Sequence, residues 1–104
     1  MFDDFTHYQK MAMLTRLPTA DTDYALFGLA GEVGELHSYL AKSIRDNYEL
    51  DKNTIKKELG DILWFIAAIA EDAGIELSDI AITNIEKLQA RQKNGTIMGS
   101  GDER

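Results

Sequence analysis

The sequence predicts an all-α domain of four helices, and three observations carry that prediction. Apolar residues recur at helical spacing along almost the whole chain. The single proline, Pro18, falls in the stretch Leu17 to Thr22, which reads as a connector. Capping residues and glycine stops stand where the periodic stretches begin and end. The first helix runs roughly from Asp3 to Arg16, with Phe5, Tyr8, Met11, Ala12 and Met13 on its apolar stripe. The second starts at Asp21 or Thr22, either of which suits an N-cap, and continues to about Ile44 or Arg45. Asp46-Asn47-Tyr48-Glu49-Leu50 then breaks the pattern. Asp51 caps a third helix that reaches Ala73, where Gly74 supplies the stop. Ser78 caps a fourth, which ends near Lys93 at Asn94-Gly95. These helices make residues 1–95 one domain, and 96–104 form a flexible C-terminal tail.

Composition narrows the possible functions. With 104 residues the chain suits one domain, and 44% hydrophobic residues can build a core. A formal net charge of −7 argues against a nucleic-acid polymer as partner, because such binding rests on clustered Lys and Arg that release counterions. The chain has no Cys, which removes disulfides, thiolate zinc sites and thiol catalysis together. Met1-Phe2-Asp3-Asp4 lacks the positive-then-apolar pattern of a secretory signal, and the longest apolar run, Ile62 to Ala70, is about half of what a membrane span requires. The expectation is a cytoplasmic protein without a membrane partner.

The chemistry lies in two acidic pairs of equal spacing, Glu32-Val33-Gly34-Glu35 and Glu58-Leu59-Gly60-Asp61. On a helix, residues three apart share a face, so each pair presents two carboxylates side by side. At about 100° per residue, Gly28, Gly31, Glu32, Glu35, Tyr39 and Lys42 occupy one arc of the second helix, beside an apolar arc of Ala25, Leu29, Val33, Leu36 and Leu40. Glycine inside a helix costs around 1 kcal/mol relative to Ala, so Gly28 and Gly31 suggest that a ligand or another helix approaches the backbone closely. Thr54, Glu58, Asp61, Phe65, Ile69 and Asp72 share a face of the third helix.

A short connector makes the second and third helices antiparallel neighbours, and it places the acidic pairs at comparable depth to within roughly a helical turn. Four carboxylates can therefore converge. Two like charges about 5 Å apart repel by roughly 3 kcal/mol at an effective dielectric of 20, so such a cluster calls for a cation. Oxygen-only ligands point to Mg²⁺ or Mn²⁺. Apolar residues extend almost all the way round the third helix through Ile62, Trp64, Phe65 and Ile69. Four short helices do not easily cover it, so a homodimer or a dimer of dimers is expected. On the fourth helix Asn84, Lys87 and Arg91 share a face, with charges suited to phosphate oxygens.

Taken together, Gly28-Leu29-Ala30-Gly31-Glu32-Val33-Gly34-Glu35, Lys57-Glu58-Leu59-Gly60-Asp61-Ile62-Leu63-Trp64 and Asn84-Ile85-Glu86-Lys87-Leu88 with Arg91 resemble the MazG-like nucleotide pyrophosphohydrolases, an all-α family of NTP pyrophosphatases. The resemblance covers nearly everything after Tyr24. It implies a MazG-like bundle that cleaves a nucleoside triphosphate between its α and β phosphates, giving a monophosphate and pyrophosphate. It further implies that Glu32, Glu35, Glu58 and Asp61 are ligands of Mg²⁺, and that Lys87 and Arg91 are phosphate contacts. Asn84 would hold the sugar or a phosphate, and Lys42 is a further substrate-binding candidate. One carboxylate accepts the proton of the attacking water, with Glu35 preferred to Glu32. The tail residues Gly99-Ser100-Gly101-Asp102-Glu103-Arg104 would close over bound nucleotide.

Two other readings compete. A ferritin-like di-iron centre needs Glu-x-x-His ligands, and no Glu here has a His three residues on. A non-catalytic helical module that uses the apolar third helix for assembly is the stronger alternative.

Overall fold

A computed structural model describes residues 4–102. Four helices follow in order, α1 (Phe5–Leu14), α2 (Thr22–Asp46), α3 (Lys52–Asp72) and α4 (Leu77–Asn94), with no strand among the described residues. Three of them start on an aspartate. Asp4 accepts from the His7 N–H at 2.7 Å, Asp21 from the Tyr24 N–H at 2.9 Å, and Asp51 from the Asn53 N–H at 3.2 Å. The position expected to open the first helix, Asp3, lies outside the described residues. Left-handed residues supply the stops: Asn47 (φ 56°) after α2, Gly74 (φ 71°) after α3 and Gly95 (φ 70°) after α4.

The fourth helix departs from expectation. Ser78 is not its cap; the N-cap position is Glu76, which makes no side-chain capping bond. The cap comes from α1 instead. Gln9 Oε1 accepts from the buried Leu77 N–H at 2.7 Å, while Gln9 Nε2 donates to the Ile75 carbonyl at 3.1 Å. A single buried amide thus satisfies the helix start and the turn before it. Of the expected α1 stripe, Ala12 is buried and Tyr8 and Met13 pack against the core, whereas Phe5 and Met11 are exposed and Gln9 is buried instead.

α2 and α3 form an antiparallel hairpin, clasped at its turn by the Tyr39 hydroxyl, which accepts from the Asp51 N–H at 2.7 Å. α3 is the central element. Its small residues Ala67, Ala68 and Ala70 are buried and let neighbours come close, with Ala67 packed against Ala12 and Leu77, and Ala68 against Ala25 and Phe65. α4 packs on α1 and α3 but does not touch α2, so the four helices form an open arrangement rather than a closed bundle.

That openness leaves apolar surface uncovered. Ile44, Phe27, Leu14 and Leu17 are each at least two-thirds exposed, and no large side chain among the described residues is completely buried. The radius of gyration is 16.5 Å, against about 13 Å for a compact domain of this length. Among the described residues no helix is long and apolar enough to cross a membrane.

Candidate metal centre

Antiparallel pairing brings the carboxylate-bearing faces of α2 and α3 together. Glu32, Glu58 and Asp61 each offer one carboxylate oxygen, and these oxygens lie within 4.8 Å of one another. Glu32 and Glu58 are half-buried and Asp61 is exposed. One oxygen of Glu32 and one of Glu58 are buried with no hydrogen-bond partner. Buried carboxylate oxygens in folded proteins are normally satisfied, so two orphans beside a third carboxylate make a group that could hold a cation. A hard divalent ion that takes oxygen ligands fits this donor set.

Burial first, and then the neighbouring charges of Glu35, Asp61 and Glu58, raise the pKa of Glu32 above its ordinary value of about 4.5. Glu35 is exposed at the edge of the cluster, close enough to Glu32 to act on its proton, but it does not share the three-oxygen cluster. The sequence expectation of four converging carboxylates is met by three, with the fourth alongside.

The glycines divide. Gly28 packs against α3, and a Cβ there would collide with the ring of Phe65. Its close neighbour is thus a helix, not a ligand. A Cβ on Gly31 would meet nothing within 4 Å.

Beside the carboxylates lies a cavity of about 400 Å³. It is lined by Glu32 and Asp61, by the aromatic rings of Tyr24, Trp64 and Phe65, and by Thr15, Leu17, Thr19 and Ala20 of the α1–α2 connector. Trp64 is held in place because its indole N–H donates to Thr15 Oγ1 at 2.9 Å and to the Ala12 carbonyl at 3.1 Å. Its ring meets Phe65 edge-on, with centroids 5.1 Å apart. Tyr8 of α1 also reaches this end of the molecule: burial raises its pKa, and the charge of Asp61 adds to the effect. Sequence reading gave α1 no part in the site, because its contribution depends on tertiary packing and carries no spacing signal.

The α4 cations meet the tail, and α4 does not pack on α2. Lys87 Nζ and Arg91 Nη2 both approach Asp102 Oδ1, at 3.3 and 3.2 Å, and Arg91 Nη2 also donates to the carbonyls of Gly101 and Asp102. Arg91 is buried, and its Nε has no partner. Both cations hold the Asp102 carboxyl below its ordinary range. Residues 96–102 fold back against α4, and the last two tail positions lie outside the described residues. Asn84 and Lys87 line a separate cavity with Asp79, Ile80 and Thr83. Lys42 is exposed, ten residues along α2 from Glu32; Asp46, one turn further on, is held low by its hydrogen bond with Arg45, to which the charge of Lys42 adds.

Residues 22–96, from the first residue of α2 to just past α4, match the model of the MazG nucleotide pyrophosphohydrolase domain. The chain is also similar to the gene 37 protein of Mycobacterium phage L5, with 36% identity over 85 residues, spanning 78% of this chain and 75% of that protein. No solved structure matches the chain. A family match that covers α2, α3 and α4 in full, over the helices that bear the acidic cluster, means that this chain belongs to the MazG nucleotide pyrophosphohydrolase family.

Proposed function

We propose that the protein is a magnesium-dependent nucleoside triphosphate pyrophosphohydrolase that cleaves the α–β phosphate bond of an NTP or dNTP, giving a monophosphate and pyrophosphate. The observation that carries this reading is the cluster of Glu32, Glu58 and Asp61, with two orphaned buried oxygens, at the mouth of an aromatic cavity. These three residues would hold Mg²⁺, with Mn²⁺ as a substitute and Glu35 at the edge as a further ligand. When bound, the ion supplies neutralisation of phosphate charge and acidification of a water.

The chain's own groups then divide the work along the α2–α3 groove. The cavity between Tyr24, Trp64 and Phe65 takes the nucleoside and excludes water from it. Glu35, exposed and adjacent to Glu32, accepts the proton of the attacking water. From the cavity the triphosphate runs past the carboxylates toward the hairpin turn. Lys42 stands roughly 15 Å beyond Glu32 along the helix axis, a cation near the hairpin turn for the departing pyrophosphate. Lys87 and Arg91 meet phosphate oxygens and Asn84 the sugar or a phosphate; the Asp102 carboxylate seated on the two cations supports an anion-binding role for them.

We further infer a homodimer or dimer of dimers. Its support is the extended shape of the protomer, the exposure of Phe27, Leu14, Leu17 and Ile44, and the separation of α4 from α2. The same exposed faces are what favour the second reading, a non-catalytic assembly module, which predicts no product from any nucleotide.

A panel of canonical and modified triphosphates, incubated with and without Mg²⁺ and assayed separately for pyrophosphate and orthophosphate, tests the proposal. Magnesium-dependent pyrophosphate is expected, and Glu58→Gln and Asp61→Asn are expected to abolish it with helical content unchanged. Turnover retained in both variants would remove the site, and orthophosphate as the first product would remove the α–β assignment.

A further inference from the structure

The wall of the nucleoside cavity hangs on one arginine. Arg16 stands just after α1, at the start of the connector that supplies Leu17, Thr19 and Ala20 to the cavity. Its Nε donates to the Ala20 carbonyl at 2.7 Å, spanning the connector from one end to the other. Its Nη1 and Nη2 donate to Oδ1 and Oδ2 of Asp72, both at 2.9 Å, in the parallel two-bond geometry that fixes a guanidinium most firmly. Nη1 also lies 3.7 Å from the Met13 sulfur. The two side chains are only 15% and 21% exposed. Asp72 is the last residue of α3, whose earlier turns carry Glu58, Asp61, Trp64 and Phe65. One ion pair therefore ties the connector to the end of α3 beside the cavity. Neither Arg16 nor Asp72 lines the cavity or belongs to the carboxylate cluster; the contact with the lining is the bond from Arg16 to Ala20.

We propose that Arg16, clamped by Asp72, is a positioning residue for nucleoside recognition: it holds the Leu17–Ala20 wall against the cavity and thereby sets affinity for the nucleoside end of the substrate. This inference rests on the reading of that cavity as the nucleoside pocket. Only a guanidinium has donors spaced for it on three separate nitrogens. The planar fork occupies both oxygens of Asp72 and leaves Nε for the carbonyl, whereas a lysine ammonium is a point charge at the end of a flexible stem. Arg16→Lys keeps the charge and loses the wall. Asp72→Asn keeps the shape and loses one of the two acceptors.

The chain has a single tryptophan, Trp64, and it lines the cavity, so its fluorescence reports occupancy without catalysis. Nucleoside monophosphates titrated into the wild-type protein should give a saturable change. In Arg16→Lys and Asp72→Asn the same titration should saturate at concentrations roughly three- to tenfold higher, as expected when the binding-competent wall is populated only part of the time. KM for the triphosphate should rise by the same factor with kcat within about twofold of wild type. A lower kcat at unchanged KM, the pattern of a smaller folded fraction, would overturn the positioning role. So would monophosphate binding unchanged in both variants while wild type responds, and in that case the pocket reading stands. A wild-type protein with no saturable response to any monophosphate would overturn the pocket reading, and the role of Arg16 with it.

Discussion

Neutralising one member of the carboxylate cluster should make the metal-free protein more stable. In Glu58→Gln the side chain keeps its shape, and its amide can donate to the orphaned Glu32 oxygen. Two repulsions disappear, those of Glu58 with Glu32 and with Asp61, between oxygens within 4.8 Å. Each is worth about 3 kcal/mol at an effective dielectric of 20 and about 1 kcal/mol in bulk water. Asp61 is exposed and Glu32 takes up a proton more readily than an ordinary carboxyl, so the relief lies near the lower limit, about 2 kcal/mol in total. For a domain of this length that is roughly 10 °C in Tm. Mg²⁺ acts in the opposite sense: at about a hundred times its Kd it stabilises the wild type by about 2.7 kcal/mol, and it does little for the variant. Thermal melts at one fixed protomer concentration, with EDTA and then with Mg²⁺, give all four values. Without metal the variant should melt higher, and with metal the wild type should catch up. A metal-free variant that melts at or below wild type, with equal gains from Mg²⁺ in both, would refute the cluster as a site of unrelieved charge.

Three further outcomes follow from the same geometry. The raised pKa of Glu32 means that the folded protein binds more protons than the unfolded chain between about pH 4.5 and that raised value, so metal-free stability falls as pH rises through this window. Below about pH 3.8 the lowered pKa of Asp72 works the other way, and the stability from its pairing with Arg16 is lost as pH drops through its folded pKa. Melts of metal-free wild type and Glu32→Gln between about pH 5 and pH 8 check the first part: the fall should be shallower in the variant, and parallel curves would count against it. Gly28→Ala drives a methyl into the Phe65 ring, and an overpacking cost of about 1–3 kcal/mol outweighs the ~1 kcal/mol gain in helix propensity, whereas Gly31→Ala enters open space and keeps the gain; urea unfolding of the two variants should move in opposite directions. Gln9→Ala leaves the Leu77 N–H without its acceptor at a cost of about 1–3 kcal/mol, and hydrogen exchange at Leu77 should accelerate well beyond that of the α3 core.

Helix positions and the acidic cluster were legible in the sequence because both follow from local geometry. Asp21 and Asp51 cap their helices by contacts a few residues away, and Glu58 and Asp61 share a face by the pitch of the helix alone. Joining Glu32 to them needed only the hairpin and a count of residues from its turn. Legibility stopped where a partner came from far along the chain. Ser78 has the chemistry of an N-cap, yet Gln9, 68 residues before Leu77, does the capping. Gly28 suggested a close approach, but only the pairing of the α2 and α3 faces shows that Phe65 makes it. Tyr8, Thr15 and Arg16 reach the cavity or its frame through packing that no spacing rule announces. The face shared by Lys87 and Arg91 was correct as a face, and the structure seats Asp102 on it.

The segment that matches the family begins at residue 22, so α1 lies wholly before it. A fragment cut at that boundary would lose more than one helix. The indole of Trp64 would be stripped of both acceptors, α4 would begin on a bare amide, and the aromatic chamber would stand open along one flank. The unit that packs together and the unit that family likeness delimits are therefore different objects, and α1 with its connector acts as a buttress to the helices that carry the acidic cluster.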